Sequence, residues 1–214
     1  MKDLRITLLS DGSSDRVLLR HIGWLLEQHV RRDFAIQPYW ADLRSITPRP
    51  KELSDRIGTA IELYPCDILF VHRDAEGDLK KAEERFGEIN SAAAPFDASA
   101  PPIVPVVPIR MQEAWLLFDV DAIRRAAGNP TGGKPLDIPS LSETERRADP
   151  KKLLHEILRI ASDTSGRKRR KFKVRHAVQR VGDLIEDFSP LRQLTAFKRL
   201  EDDLKHVLVV NNWL

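Results

Sequence analysis

The chain has 214 residues, of which 42% are hydrophobic and 31% are charged, and its net charge is +3. This length and composition are typical of a globular protein with one compact core or two small ones, and they exclude a disordered or fibrous chain. The single cysteine, Cys66, and six histidines without paired spacing exclude a disulfide framework and a zinc ribbon. Any bound metal would therefore need carboxylate ligands.

The first predicted element is an apolar, β-rich strand at residues 4–9, which ends at the turn residues Asp11 and Gly12. Because this run has only six residues and no small-residue cleavage site follows it, it predicts neither a signal peptide nor a membrane span. The cytoplasm is the expected location. Apolar residues then recur at helical spacing, which predicts an amphipathic helix over residues 14–30.

Strands and helices continue to alternate along the first half of the chain. We predict a strand at residues 34–40, a helix at 50–63, a buried strand at 66–72 and a charged helix at 79–90. This alternation predicts parallel strands joined by right-handed crossovers. A fourth strand at residues 103–109 contains Pro105 and Pro108, and we expect it at an edge of the sheet because proline cannot donate to a sheet ladder.

The rest of the chain is predicted to be helical. A helix is expected at residues 112–127, and the glycine- and proline-rich segment 128–142 is the expected boundary. Further helices are predicted at 150–161, 174–188 and 190–209. The expected organisation is an α/β domain at residues 1–127, with a mainly parallel sheet and helices on both faces, and a helical C-terminal extension at residues 143–214 packed on it.

Acidic residues follow three of the predicted strands. The carboxyl ends of parallel strands meet at one edge of a sheet, where ligands bind, so these acids are expected to lie close together at that edge. Clustered carboxylates repel one another unless a cation lies between them, and an all-oxygen site suits Mg²⁺ or Mn²⁺. The acids are Asp11 and Asp15 after the first strand, Asp74, Glu76 and Asp78 after the third, and Glu113 after the fourth.

Each of these acids also has a purely structural explanation. Asp11 can be a turn residue, Asp15 a first-turn helix acid, and Asp74 or Asp78 a helix N-cap. Glu113 can be an acid favoured by the helix dipole. Five acids after two apolar strands are nevertheless more than two turns and two caps require, so the pattern favours a metal site.

A dense basic segment lies at residues 167–175. The segment carries seven positive charges, whereas the net charge of the whole chain is +3, so the rest of the chain has a net charge of −4. Such a patch suits the phosphate backbone of nucleic acid, because phosphate contacts release condensed counterions, and Phe172 could stack on a base. The alternative is a solvated loop between helices. The seven residues are Arg167, Lys168, Arg169, Arg170, Lys171, Lys173 and Arg175.

Three short motifs resemble TOPRIM domains. The segment LLSDGSSD at residues 8–15 is similar to their first motif, in which Glu-Gly follows the first strand and precedes Ser-Asp or Thr-Glu. The segment LFVHRDAE at residues 69–76 resembles their Asp-x-Asp motif. With EAWLL at residues 113–117, the chain resembles a bacterial TOPRIM-like family of unknown function, related to the TOPRIM domains of OLD-type nucleases and often encoded beside AAA-type ATPases.

The resemblance covers about residues 4–125 and implies a TOPRIM-like, Rossmann-like fold. It implies a metal-dependent nuclease in a phage-defence or DNA-repair context, with nucleic acid as substrate and an AAA-type ATPase as partner. In the roles it implies, Asp74 and Glu76 bind Mg²⁺ or Mn²⁺ and Asp11 acts as general acid/base or ligand. Asp78 and Glu113 are auxiliary metal-binding acids.

The chain departs from the family pattern at two positions. Asp11 stands where the family has glutamate, and Glu76 stands where it has the second aspartate. One alternative function is therefore a non-catalytic module that binds nucleic acid or docks on an ATPase and carries a degenerate TOPRIM site. Another is a small-molecule phosphohydrolase, which would need no basic patch.

Overall fold

The fold is built on a parallel sheet. The computed structural model describes residues 2–214, with residue 169 described by its backbone alone. In this part of the chain the strands are β1 (Lys2–Leu9), β2 (Phe34–Ala41), β3 (Ile68–His72) and β4 (Ile103–Val106), arranged in the order β2-β1-β3-β4 and all parallel. The predicted α/β class and parallel sheet are confirmed. β1 and β3 are hydrogen-bonded neighbours, so the two strands that precede most of the acids end side by side.

Helices make up the remainder of the regular structure. The α-helices are α1 (Leu18–His29), α2 (Leu53–Leu63), α3 (Leu79–Ala93), α4 (Val120–Ala126), α5 (Leu141–Thr144), α6 (Pro150–Ala161), α7 (Gly166–Lys171), α8 (Val174–Leu184) and α9 (Thr195–Val210). Short 3₁₀ helices lie at Ser13–Val17, Gln112–Leu116 and Ser189–Gln193. No helix within residues 2–214 is both long and apolar enough to cross a membrane.

Helices cover the sheet from both sides. α2 packs beside α3, whereas α1 packs beside α8 and α9. Because right-handed crossovers from β1 to β2 and from β2 to β3 run in opposite directions along the sheet, α1 lies on the opposite face from α2 and α3. The helices that connect the strands do not cover the part of the α1 face that lies over β4. There α9 packs against β4.

β4 is an edge strand, as its prolines predict. It pairs with β3 alone and ends at Val106, three residues earlier than expected. Beyond it, the carbonyls of Pro108, Ile109 and Arg110 accept hydrogen bonds from the backbone of residues 75–77. This irregular continuation fixes the loop that follows β3.

Five predicted helices are shorter or interrupted. The helix expected at residues 50–63 begins at Leu53, and the one expected at 190–209 is a 3₁₀ turn followed by α9. The helix expected at residues 112–127 is a 3₁₀ turn followed by α4, because the Asp119 carboxylate accepts a hydrogen bond from the backbone N–H of Ala122 and starts a new helix there. The helix expected at 14–30 likewise begins as a 3₁₀ turn, and the one expected at 174–188 ends at Leu184. The resulting loops carry several of the candidate residues.

The C-terminal helices share one hydrophobic core with the sheet. Their buried side chains, including Phe188 and Phe197, belong to the same cluster as the sheet residues Leu8 and Phe70. His21 of α1 is fully buried against Phe188, Phe197 and Trp115, and burial lowers its pKa to about 4. The helical part therefore packs directly on the sheet domain.

Candidate functional site

Asp11 lies at the end of β1 in an exposed position and forms ion pairs with two arginines. Its Oδ1 is 2.5 Å from Arg56 Nη1, and its Oδ2 is 3.4 Å from Arg73 Nε. Arg56 comes from α2 and also donates a hydrogen bond of 2.9 Å to the carbonyl of Ser10. The carboxylate predicted to be catalytic is thus engaged through both oxygens by basic side chains.

Asp15, four residues further along, is buried. Gly12 N–H and the Ser14 hydroxyl each donate to its carboxylate at 2.9 Å. The side-chain amide of Gln112 donates a third hydrogen bond of 2.9 Å. Asp15 therefore ties the loop after β1 to the segment after β4.

The loop after β3 contributes His72 and Asp74. His72 is buried, and its Nδ1 lies 2.9 Å from the carbonyl oxygen of Val106, so this nitrogen carries the proton. Its Nε2 lies 3.5 Å from Asp74 Oδ1 and 4.0 Å from Asp15 Oδ2. His72 thus stands between two carboxylates at the end of the central strand.

Asp74 is electrostatically the most perturbed of the predicted site residues. Burial raises its pKa to about 6; the nearby His72 opposes this shift, whereas the negative charges of Asp15 and Glu113 add to it. The backbone N–H of Gln112 donates a hydrogen bond of 3.2 Å to Asp74 Oδ1. Strongly perturbed carboxyls at the mouth of a sheet are typical of functional sites.

Glu113 completes the buried group. Only 3% of its side chain is exposed, and its Oε1 lies 3.5 Å from Nζ of Lys151, at the start of α6. Burial raises the pKa of Glu113, and the positive charge of Lys151 opposes that change. The buried acid cluster, defined here as the buried Asp15 and Glu113 together with the half-buried Asp74, therefore joins the ends of β1, β3 and β4.

Glu76 and Asp78 are exposed and lie outside this cluster. Glu76 has a φ angle of 52°, in the left-handed region, and its backbone N–H donates to the carbonyl of Arg110. Asp78 is the N-cap of α3, where its carboxylate accepts a hydrogen bond of 3.1 Å from the backbone N–H of Lys81. Asp78 is therefore a helix N-cap, which is the structural explanation that its sequence position offered.

The buried acid cluster offers only oxygen donors besides His72. Within residues 2–214, no three His, Cys, Asp or Glu side chains are grouped so that they could hold a metal ion by themselves. The buried Oε1 of Gln112, however, lacks a hydrogen-bond partner among the described residues. Mg²⁺ commonly takes one or two carboxylates and completes its shell with waters and substrate phosphates. The donor set fits that mode of binding.

The basic segment is helical and exposed. Arg167, Lys168, Arg170 and Lys171 project from α7 with exposed side chains. Lys173 is the N-cap of α8, and Arg175 is in its first turn. The side chain of Arg169 lies outside the described part of the chain. The segment therefore presents at least six cationic side chains to solvent.

Sequence reasoning missed several residues of the site. It noted Asp15 among the acids but did not select it, and it did not select His72, Gln112 or Lys151. A histidine that ends a fully apolar strand, and an amide next to the selected Glu113, were signals available in the sequence. The contact of Lys151 with Glu113 depends on the packing of α6 and had no such signal.

Comparisons with known proteins add no further assignment. No family model, no curated protein and no solved structure matches the chain.

Proposed function

We propose that the protein is a metal-dependent phosphodiesterase acting on nucleic acid, with a TOPRIM-like site. The observation that carries the proposal is the buried acid cluster at the carboxyl edge of the parallel sheet. Asp74 and Glu113 have raised pKa values there, and Lys151 is the basic side chain nearest to Glu113. Uncompensated carboxylates are unfavourable in the fold unless a cation is brought to them.

In this proposal Asp74 and Glu113 hold a Mg²⁺ or Mn²⁺ ion, and Glu76 reaches it from the exposed rim. The metal, when bound, supplies charge neutralisation at the phosphate and an activated water. Gln112 positions Asp74 and Asp15, because its backbone N–H donates a hydrogen bond to Asp74 and its side-chain amide donates one to Asp15. His72 Nε2 lies 3.5 Å from Asp74 Oδ1 and places a basic ring beside that carboxylate.

The residues around Asp11 take a different role in the proposal. Because both oxygens of Asp11 are in ion pairs, we propose that it holds Arg56 and Arg73 at the mouth of the site. Guanidinium groups at that position can contact phosphate oxygens in bidentate fashion. Asp11 becomes available as a general acid/base or metal ligand only when substrate phosphates replace it as the partner of these arginines.

Nucleic acid is the proposed substrate because of the basic segment. Phosphate contacts make the binding constant fall as the salt concentration rises. The slope of log K against log [salt] is about −0.9 per phosphate on B-DNA and about −0.7 on single strands. Replacing residues 167–171 with serines should flatten that slope. Unchanged salt dependence would make the segment a solvated surface. An AAA-type ATPase partner belongs to the same proposal.

The direct test is cleavage of plasmid and single-stranded DNA and RNA in Mg²⁺ and in Mn²⁺. Wild type is compared with Asp74→Ala and with Asp78→Ala, a matched variant that removes an exposed acid from the same loop. The assay is run with and without the product of the neighbouring gene. Cleavage lost in Asp74→Ala and retained in Asp78→Ala is the expected result, and equal cleavage by all three proteins would point to a contaminant.

The second candidate is a non-catalytic module that binds nucleic acid or docks on an ATPase. The ion pairs of Asp11 with Arg56 and Arg73 favour it, because they engage the acid that the resemblance assigns to catalysis. The two candidates differ in metal binding. Salt-sensitive binding of nucleic acid without any affinity for Mg²⁺ or Mn²⁺, and without cleavage, would select the non-catalytic module.

A further inference from the structure

One face of α6 carries a row of basic side chains. Lys151, His155 and Arg159 are spaced four residues apart, so they lie above one another on the same face of the helix. Eight residues of α-helix span about 12 Å, at about 1.5 Å per residue. The row begins at Lys151, which contacts the buried carboxylate of Glu113, and runs away from the acid cluster.

The near end of this row lines a cavity of about 490 Å³. The cavity lies between the 3₁₀ turn Ser13–Val17, α6 and α8, and Glu113 forms part of its wall. Lys151 and His155 line it from α6, and Arg175 lines it from the first turn of α8. A buried acid and four basic side chains, including His176, therefore line one half-open cavity.

The far end of the row opens into a second groove. Arg159 lines it together with Arg170 of α7, so the row connects the cavity with the basic segment. Two acids, Glu156 and Asp163, also line this groove, and Asp163 is paired with Lys134 at 2.5 Å. Among the described residues, Arg159 of α6 and Arg170 of α7 line this groove without an ion-pair partner, whereas Lys151 is paired with Glu113.

The electrostatics of His155 show that these groups act on one another. Burial lowers the pKa of His155, and the positive charges of Arg159, Lys151 and Arg175 lower it further. Two cations of α6, one on either side of His155, and one cation of α8 therefore act on this imidazole. Such a concentration of positive charge is a counterpart for a polyanion.

We propose that the α6 row is the path of a single strand of nucleic acid, which leads one phosphodiester into the cavity beside Glu113. This inference rests on the proposed function and names its substrate class. The cavity falls within the range of about 300–1,000 Å³ typical of small-molecule sites, so it accommodates a single nucleotide but not a duplex. Because Glu113 lies inside a cavity rather than on a flat face, a membrane surface could not reach it.

The test is binding of a short fluorescent oligonucleotide, single-stranded or in a duplex of the same sequence, to the full chain in EDTA. Anisotropy is recorded over a range of salt concentrations. We expect the single strand to bind about tenfold more tightly than the duplex, a difference of about 1.4 kcal/mol. Arg159→Ala and Arg175→Ala should each weaken single-strand binding and reduce its salt slope by about 0.7.

Lys152→Ala is the matched control, because Lys152 is exposed on the same helix but lies outside the row. Its binding should equal that of wild type. Equal losses in Lys152→Ala and Arg159→Ala, a preference for the duplex, or no binding would each overturn the inference. EDTA prevents cleavage during the binding assay. The expected binding without any cleavage in Mg²⁺ or Mn²⁺ would contradict only the proposed function. Cleavage that is unchanged in Arg159→Ala and Arg175→Ala would contradict only this inference.

Discussion

Glu201 is a buried acid and Asp74 a half-buried one, and their surroundings shift their pKa values in opposite directions. Glu201 of α9 lies 2.7 Å from Arg192 Nη2 and 2.6 Å from His29 Nε2. Burial favours a higher pKa, but the hydrogen bonds from these two groups outweigh it and bring the pKa of Glu201 to about 2. Burial raises the pKa of Asp74 to about 6, and two neighbouring acids add to that shift.

The contrast separates a structural acid from a candidate functional acid. The fold places Arg192 and His29 beside Glu201 as its basic partners. Through them Glu201 holds α9 to the segment that precedes α9 and to the end of α1. Asp74 lies among other carboxylates, and the basic group within 4 Å of it in the described part of the chain is the imidazole of His72, so a bound cation would favour its charged form. Substitutions at the two acids should therefore have different effects on cleavage and on stability.

Asp74→Ala should reduce Mg²⁺-dependent cleavage by at least about a hundredfold, the scale of losing one main electrostatic contact in a transition state. Nucleic-acid affinity should change little, because we propose that it comes from the α6 row and the basic segment. Cleavage rates and anisotropy are measured on the same preparations. Glu201→Gln, assayed while folded, should retain wild-type cleavage; a comparable loss in Glu201→Gln would remove the distinction between the two acids.

Glu201→Gln should destabilise the fold by about 1–2 kcal/mol, because Arg192 and His29 lose hydrogen bonds to a charged acceptor. Asp74→Asn should leave the free energy of unfolding unchanged or increase it, since it removes a carboxylate from a group of like charges. Urea unfolding at neutral pH in EDTA measures both. A larger loss in Asp74→Asn than in Glu201→Gln would reverse the comparison.

The stabilising contribution of Glu201 should depend on pH in a defined direction. Its pKa is about 2 in the folded protein and about 4.5 in an unfolded chain, so its contribution is complete above the unfolded value. As the pH falls from 4.5 through 2, the carboxylate is protonated and the contribution is lost. The difference in unfolding free energy between wild type and Glu201→Gln should therefore narrow over this range, and a constant difference would argue against the paired arrangement.

Asp78→Ala should have the smallest effect. The variant removes the N-cap of α3, so we expect a decrease in stability smaller than that of Glu201→Gln and unchanged cleavage per folded molecule. Thermal and urea unfolding, together with the cleavage assay, check this prediction. A loss of cleavage as large as that of Asp74→Ala would mean that the exposed acid takes part in the site.

Much of the fold could be predicted from local patterns. The apolar runs locate β1 to β4, and Pro105 and Pro108 correctly indicate an edge strand, because these signals depend on the strand's own residues. The helix expected at residues 112–127 was interrupted, since the capping carboxylate of Asp119 decides where α4 begins. The sequence pattern does not distinguish a continuous helix from two short ones there.

The candidate site was only partly predictable for a related reason. The rule that strand ends converge correctly singles out the edge of the sheet where Asp74 and Glu113 lie. Which acids are buried together depends on partners far away in sequence: Arg56 engages Asp11 from α2, and Lys151 reaches Glu113 from α6. Such contacts are properties of the packed structure and leave no mark in the spacing of the acids.

We propose that Asp74 and Glu113 form a metal-binding site. The most direct measurement is anomalous diffraction from crystals soaked in Mn²⁺ with a phosphorothioate dinucleotide that resists cleavage. The account predicts a Mn²⁺ peak in contact with the carboxylates of Asp74 and Glu113, and its loss in Asp74→Ala crystals. No peak at these residues, or one that persists in the variant, would contradict the account.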